Sequence, residues 1–302
     1  MNRALQAAIQ NRLADALGSA YGAVRFEPSG TGCINETWAA RAAGVEPVFI
    51  KLGGADALPM YELEAQGLQA LRRCEAIRVP GVHFFDGLES DDGAVAAVLV
   101  LEFIPLTSPR NQDDARIGEA LAQLHDIQGN AFGFDSDNFI GRTPQINGWC
   151  DDWWDFWCRN RLQPQQRLAQ LRGMRAGLLD KLQRLIEQVP AQFGMHQPQP
   201  SLLHGDLWSG NLAVDPQGRP VLYDPAVYFG DAETDLAMLK MFGGVRPGVF
   251  ASCHQRRPDS PQSQRRRTLY DLYHWLNHFN LFGVSYLGQV ENTLDQLLEF
   301  TD

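Results

Sequence analysis

Apolar residues in this 302-residue chain change their spacing near Pro105, and few architectures accommodate such a change. Before it, segments 23–27, 35–41, 47–52, 82–88 and 95–103 are short, carry β-branched or aromatic residues, and are punctuated by Gly, Pro and Asn. That is the pattern of strands and hairpins. Two helices interrupt them. Residues 1 to about 20 carry Leu5, Ile9, Leu13 and Leu17 at every fourth position, and a helix over about 59–73 sets Leu63, Gly67, Leu68 and Leu71 on one side. After Pro105, segments 113–127, 152–171, 175–189, 232–242 and 268–299 read as helices. The stretch 201–230 departs from that spacing: Leu202-Leu203, Leu212-Ala213-Val214 and Val221-Leu222-Tyr223 are separated by Gly, Asp and Pro, which predicts a loop-and-hairpin insert. The run 253–267, with Arg among Gln, Ser and Pro, reads as a solvated loop. The expectation is a bilobal α+β fold, with a small β-rich N-terminal lobe over 1–104 and a larger α-helical C-terminal lobe over 105–302.

Charge narrows the function classes. The 26 basic against 36 acidic residues give a net charge of −10, so a global basic field for nucleic acid or an anionic membrane is absent. An anionic ligand must then be held by local groups or metal ions. No apolar run reaches the roughly 18 residues of a membrane helix, and the N-terminus lacks the apolar stretch of a signal peptide. Five scattered cysteines without a C-x-x-C pair indicate neither a zinc site nor a disulfide framework. A cytoplasmic protein with no obligate protein partner is expected.

The strongest chemical signal is H-G-D-L-W-S-G-N at 204–211, followed by Asp224. It fits the kinase catalytic-loop pattern H-R-D-L-x-x-x-N except at Gly205. Phosphoryl transfer from a nucleotide needs a carboxylate to take the acceptor proton, and Asp206 suits that role. Two Mg²⁺ ions must neutralise the phosphate oxygens, and such hard cations take oxygen ligands; Asn211 and Asp224 supply them. In the same motif His204 is expected to brace the loop rather than carry a proton.

Upstream elements appear in the order this chemistry requires. Ser29-Gly30-Thr31-Gly32-Cys33-Ile34-Asn35 lies between two strand candidates, and reads either as a backbone cradle for phosphate or as an ordinary hairpin turn. V-F-I-K at 48–51 ends a strand with Lys51, in reach of nucleotide phosphates. An anion must fix that lysine, and Glu64 is preferred to Glu62 because it shares the turn of Leu63 and Gly67–Leu68. V-L-V-L-E-F-I-P at 98–105 closes the first lobe, where backbone groups of Glu102, Phe103 and Ile104 are placed to meet adenine. No G-x-x-x-x-G-K-[ST], G-x-S-x-G or H-E-x-x-H occurs, which removes P-loop, esterase and zinc-hydrolase readings. Asp224 is followed by Pro225-Ala226 and no A-P-E follows, so a small-molecule acceptor is favoured over a protein-kinase substrate.

The motif H-G-D-L-W-S-G-N with Y-D-P-A-V-Y-F-G-D-A-E-T-D-L-A-M at 223–238 resembles the fructosamine kinase (ketosamine-3-kinase) family. The resemblance extends to G-T-G-C-I-N-E at 30–36, E-A-Q-G-L at 64–68, the block 132–165 and the closing L-Y-D-L-Y-H-W-L-N-H-F-N-L-F-G at 269–283. It implies a protein-kinase-like fold of the aminoglycoside-phosphotransferase type. It also implies ATP- and Mg²⁺-dependent phosphorylation of the sugar 3-hydroxyl in ketoamines, free or on glycated lysine, which destabilises the adduct and frees the amine. By position Asp206 would be the base, Asn211 and Asp224 the metal ligands, and Lys51 with Glu64 the ATP-phosphate pair. Thr31 departs from the second consecutive Gly common in the family loop, whereas Cys33 matches a position where members often carry Cys.

Other residues keep two readings. Trp208 stacks on the sugar's apolar face or packs in a core. Trp149, Trp153, Trp154 and Trp157 argue mainly for packing. His274, Asn277 and His278 share one helix face, suited to sugar hydroxyls or simply solvated. Cys33, if its thiol is activated by loop N–H groups and Lys51, would be a redox control point; otherwise it is a small residue that fits the turn. Choline- or aminoglycoside-type kinases and an inactive nucleotide-binding scaffold are the competing functions.

Overall fold

The computed structural model describes residues 1–30 and 36–299, so Thr31, Gly32, Cys33, Ile34 and Asn35 lie outside the described residues. Helix α1 (Arg3–Leu17) starts at Asn2, whose side chain accepts a hydrogen bond from the Leu5 amide. Then come β1 (Arg25–Pro28), β2 (Glu36–Arg41), β3 (Val48–Gly54), α2 (Leu58–Leu71), β4 (Val82–Glu89) and β5 (Val95–Glu102). The five strands make one antiparallel sheet in the order β1-β2-β3-β5-β4. Side chains alternate across a strand, so the sheet has two faces with different partners. Val48, Ile50 and Leu52, with Ala96, Val98 and Val100, pack against Ile9 and Leu13 of α1. Ala97, Leu99 and Leu101 pack against Tyr61, Leu68 and Leu71 of α2. Lys51 falls on that second face, opposite Thr37 of β2 and Leu99 of β5, and the alternation alone turns its side chain toward α2.

The remainder is mostly helical, as the change of spacing predicts. Helix α3 (Asp114–His125) is followed by the hairpin β6 (Asn138–Ile140) and β7 (Thr143–Gln145), then α4 (Trp153–Trp157), a π-helical turn over Cys158–Leu162, α5 (Gln163–Leu171) and α6 (Ala176–Phe193). The insert contains β8 (Ser201–Leu203), β9 (Leu212–Val214), β10 (Pro220–Leu222) and β11 (Tyr228–Gly230). Helices α7 (Glu233–Met241), α8 (Pro247–Arg256), α9 (Ser263–Phe282) and α10 (Leu287–Leu298) complete the chain. Trp153, Trp154 and Trp157 are buried in the core between α4 and α9, which upholds the packing reading for these three. The Trp153 and Trp154 ring N–H groups donate to the Tyr270 hydroxyl and the His196 carbonyl. Trp149 is instead half-exposed and stacks on Phe229.

The β9–β10 hairpin is bonded on both sides to segments that enter and leave the sheet. Arg78, ahead of β4, donates its amide to the Pro220 carbonyl and accepts from the Leu222 amide; Thr107, past β5, exchanges both bonds with Val214. The Arg78 guanidinium also reaches Glu102 and Asp215.

Two expectations need correction. The run 253–267 is not a single solvated loop: it holds the end of α8 and the first turn of α9. Its arginines are anchored rather than free. Arg256 pairs with Glu119 and Asp126, Arg257 with Asp126, and Arg266, 2% exposed, with Glu233. Ion pairing with distant acids lets such a polar run be helical, a signal that periodicity does not carry. The segment 268–299 is two helices, broken where Gly283 adopts φ +86, a left-handed conformation that favours glycine. Arg266 donates to both Glu233 oxygens and to the Ser263 hydroxyl. Removing one member of a buried ion pair strands the other, at a cost of about 3–5 kcal/mol. Arg266→Ala is therefore expected to lower unfolding stability by about that amount in a denaturant titration, whereas Arg256→Ala, at a solvent-exposed pair, should change it little.

Candidate active site

Sheet and helices meet around a cavity of about 720 Å³. The sheet contributes Phe49, Lys51 and Leu101, α2 contributes Tyr61 and Glu64, and the chain leaving β5 contributes Glu102, Phe103, Ile104 and Leu106. The opposite wall is Asp206, Trp208, Asn211, Tyr223 and Asp224, with Asn138 and Phe139 at one side. Buried Lys51 sits between two carboxylates, with Nζ 2.6 Å from Glu64 and 2.5 Å from Asp224. Burial disfavours the ammonium, but the two carboxylates outweigh it and hold the lysine pKa above its ordinary value. Glu62 is exposed, so the helix-face argument selects the right glutamate.

The H-G-D loop is built from hydrogen bonds to one buried acid. Asp235, near the start of α7, accepts from the backbone amides of His204 and Gly205 at 2.8 and 2.9 Å and from His125 Nε2 at 3.1 Å. His204 is fully buried, its Nε2–H donates to the Tyr223 carbonyl, and its Nδ1 accepts the Asp206 amide. Burial lowers its pKa, so the ring is neutral and fixed in one tautomer, as a brace should be. Gly205 has φ +82, and a Cβ there would lie 1.9 Å from the Ala226 carbonyl oxygen, so no arginine fits. Asn211 donates its side-chain N–H to the Asp206 carbonyl, the Asp206 carboxylate and the Asp224 carbonyl, which turns its amide oxygen away from them. Burial, then the charge of Asp224, push the Asp206 carboxyl up to about 7, against the pull of the Asn211 bond. Asp224 itself has φ +57, an uncommon backbone for a residue other than glycine, and it aims the carboxylate at Lys51.

Most expected site residues therefore converge on one cavity. Gly30 lines it at the end of β1. The amide of Glu102 is spent on the Gly81 carbonyl and its carboxylate on Arg78. Trp208 lines the cavity with its ring folded over Gly210, where an added Cβ would come within 2.2 Å of it. His274 and His278 do not line the cavity. His274 and Asn277 are buried, and Asn277 accepts from Gln165, so these two face α5 rather than solvent, while His278 is half-buried against Phe242. Burial lowers the His274 pKa to about 3, leaving it neutral.

Sequence reasoning missed the supports behind the loop. Asp235 stands in the quoted G-D-A-E-T-D run and His125 on the periodic face of α3, but neither pattern reveals a partner far along the chain. Gln145 and Asn138 likewise donate to the Ala226 and Val227 carbonyls from β7 and β6. One other group of metal-type donors occurs among the described residues, His196, Asp231 and Glu233. Its members are already bonded to one another, to Tyr270 and to Arg266. Restoring the common motif through Gly205→Arg should drive the loop off Ala226. A displacement of roughly 1 Å costs about 10²-fold in rate, so turnover should fall at least that far while the circular dichroism of Gly205→Arg stays that of the parent.

A sequence model of the fructosamine kinase family matches residues 5–300. A probable ketoamine kinase of Synechocystis is 41% identical over 268 residues, covering 88% of each chain. The crystal structure assigned as a fructosamine-3-kinase from Haemophilus somnus superposes with a TM-score of 0.85 at 26% identity, over 98% of this chain and all of that one. A choline kinase from Streptococcus pneumoniae, at 15% identity and a TM-score of 0.66 over 97% and 99% of the two chains, shares the bilobal kinase-like fold. No helix among the described residues is long and apolar enough to cross a membrane. With its match running almost end to end, this chain belongs to the fructosamine kinase family.

Proposed function

We propose that this chain transfers the γ-phosphoryl group of ATP to the 3-hydroxyl of ketoamines, free or carried by glycated lysine, in the cytoplasm. The observation that carries the reading is the convergence of Lys51, Glu64, Asp206, Asn211 and Asp224 on one cavity in a chain of this family. Asp206 receives the hydroxyl proton as the new O–P bond forms and the bond to the β-phosphate oxygen breaks, releasing ADP. A carboxyl lifted by burial is a better proton acceptor than a solvated one. Lys51, oriented by Glu64, binds phosphate oxygens, and the edge formed by Glu102, Phe103 and Ile104 receives adenine. Gly30 lines the same cavity.

Asn211 and Asp224 are the residues that would hold Mg²⁺. The donor set fits: a free amide oxygen and a carboxylate on the same wall, both suited to a hard cation. Mg²⁺ bound there neutralises phosphate charge that Lys51 alone cannot. Trp208 offers the sugar an apolar face beside Asp206. A choline- or aminoglycoside-type acceptor is the competing assignment, since the shared fold does not choose between acceptors.

Transfer of labelled phosphate from ATP to fructosamine, ribulosamine and erythrulosamine, with choline and kanamycin alongside, tests the reading. Only ketoamines should be labelled, the signal should vanish on chelation and return with Mg²⁺, and labelling of choline or kanamycin instead would overturn the assignment. Asp206→Asn should retain nucleotide binding and lose about 10²–10⁴-fold in turnover, the scale of a missing general base.

A further inference from the structure

Trp208 begins a continuous run of aromatic rings that leads from the cavity to the protein surface. Its ring meets Phe242 edge-on at 6.4 Å, and Phe242 meets Trp275 at 5.4 Å and His278 at 4.8 Å. His278 in turn meets Phe282 at 5.6 Å and Tyr286 at 5.1 Å. The geometry follows from three local arrangements. Phe242 sits just past the end of α7, Trp275, His278 and Phe282 occupy successive turns on one side of α9, and Tyr286 lies in the turn before α10. None of Trp208, Phe242 and Phe282 belongs to the three apolar cores among the described residues. Phe282 is 54% exposed and the adjacent Val284 79%. The run is half-buried along Trp208, Phe242, His278 and Tyr286 and opens to solvent at Phe282, an apolar strip contiguous with the cavity and suited to an apolar group. His278 adds a ring face rather than a charge: its Nδ1–H is donated to the His274 carbonyl, and burial lowers its pKa.

The chemistry of a ketoamine says what would lie there. Its amine nitrogen is carried on C1, two carbons from the C3 hydroxyl assigned to Asp206. Whatever the nitrogen carries must therefore pass out of the cavity close to Trp208. The nitrogen is a secondary amine, cationic at neutral pH, and cations are attracted to aromatic faces. We propose that the run from Trp208 through Phe242 and His278 to Phe282 and Tyr286 is the docking surface for the amine's substituent. It selects ketoamines whose amine bears an aromatic or long apolar group over those of small polar amines. This inference rests on the ketoamine reading above.

Two adducts of one sugar, the fructosamines of benzylamine and of ethanolamine, separate the two claims. The parent enzyme should favour the benzylamine adduct about tenfold in kcat/KM, mainly through KM, since a stacked and buried ring contributes on that scale. Phe242→Ala should cut this preference about threefold, and Phe282→Ala, at an exposed position that does not endanger folding and lies beyond a benzyl group, should cut the corresponding preference for the longer 4-phenylbutylamine adduct about threefold while Phe282→Tyr keeps it. A parent preference within about twofold, or a preference unchanged in both alanine variants, overturns the docking surface while phosphorylation of either adduct upholds the ketoamine reading. If neither adduct is phosphorylated, the ketoamine reading fails and the docking surface falls with it.

Discussion

One buried ammonium ties the structure to its chemistry. Lys51 lies on the α2 face of the sheet because strand side chains alternate, and there it draws Glu64 from α2 and Asp224 from the segment after β10. Three elements far apart in sequence each supply one member of this cluster. A charge so buried must be paired, so only displacing both α2 and the Asp224 segment would leave it stranded, at a cost of about 3–5 kcal/mol. The same ion pairs hold in place the carboxylate and the amine on which the proposed phosphoryl transfer would draw. In this structure Lys51 occupies Asp224, and phosphate oxygens arriving with ATP would offer the lysine a new partner and free that carboxylate.

The catalytic loop obeys a different constraint, satisfaction of backbone hydrogen bonds in a dry interior. Asp235 accepts two successive loop amides, and burial of His204 leaves its ring nitrogens only the Tyr223 carbonyl and the Asp206 amide. The departure of this chain from H-R-D then has a steric cause. Gly205 brings its backbone against the Ala226 carbonyl, and a side chain cannot enter. A loop closed in this way has no arginine to read a phosphorylated segment, consistent with the absence of A-P-E in the sequence.

Local chemistry was legible in the sequence; long-range partnership was not. Lys51 could be placed on a strand, though it lies in the middle of β3 rather than at its end, and Glu64 could be chosen over Glu62, because both inferences need only the period of one element. Asp206, Asn211 and Asp224 stand in a motif whose spacing brings them to one wall of the cavity. Arg266, by contrast, looks like one more charge in a polar run until Glu233 is seen against it. His274 and His278 share a helix face, but which neighbour that face meets depends on the packing of α5 and on Phe242, which no single-helix pattern contains. The break at Gly283 needed a left-handed backbone that a lone glycine in an apolar run does not announce.

The hairpin β9–β10 has a mechanical consequence. It is laced by backbone bonds to Arg78 ahead of β4 and to Thr107 beyond β5, with the Arg78 guanidinium adding a strut to Glu102 and Asp215. A hinge opening of the two lobes would turn about these bonds, because groups near an axis are displaced least. The lobes are thus pinned at the linker, and any relative motion is largest at the opposite end of the cleft. A nucleotide would then enter and leave at the lip of the cleft farthest from the linker.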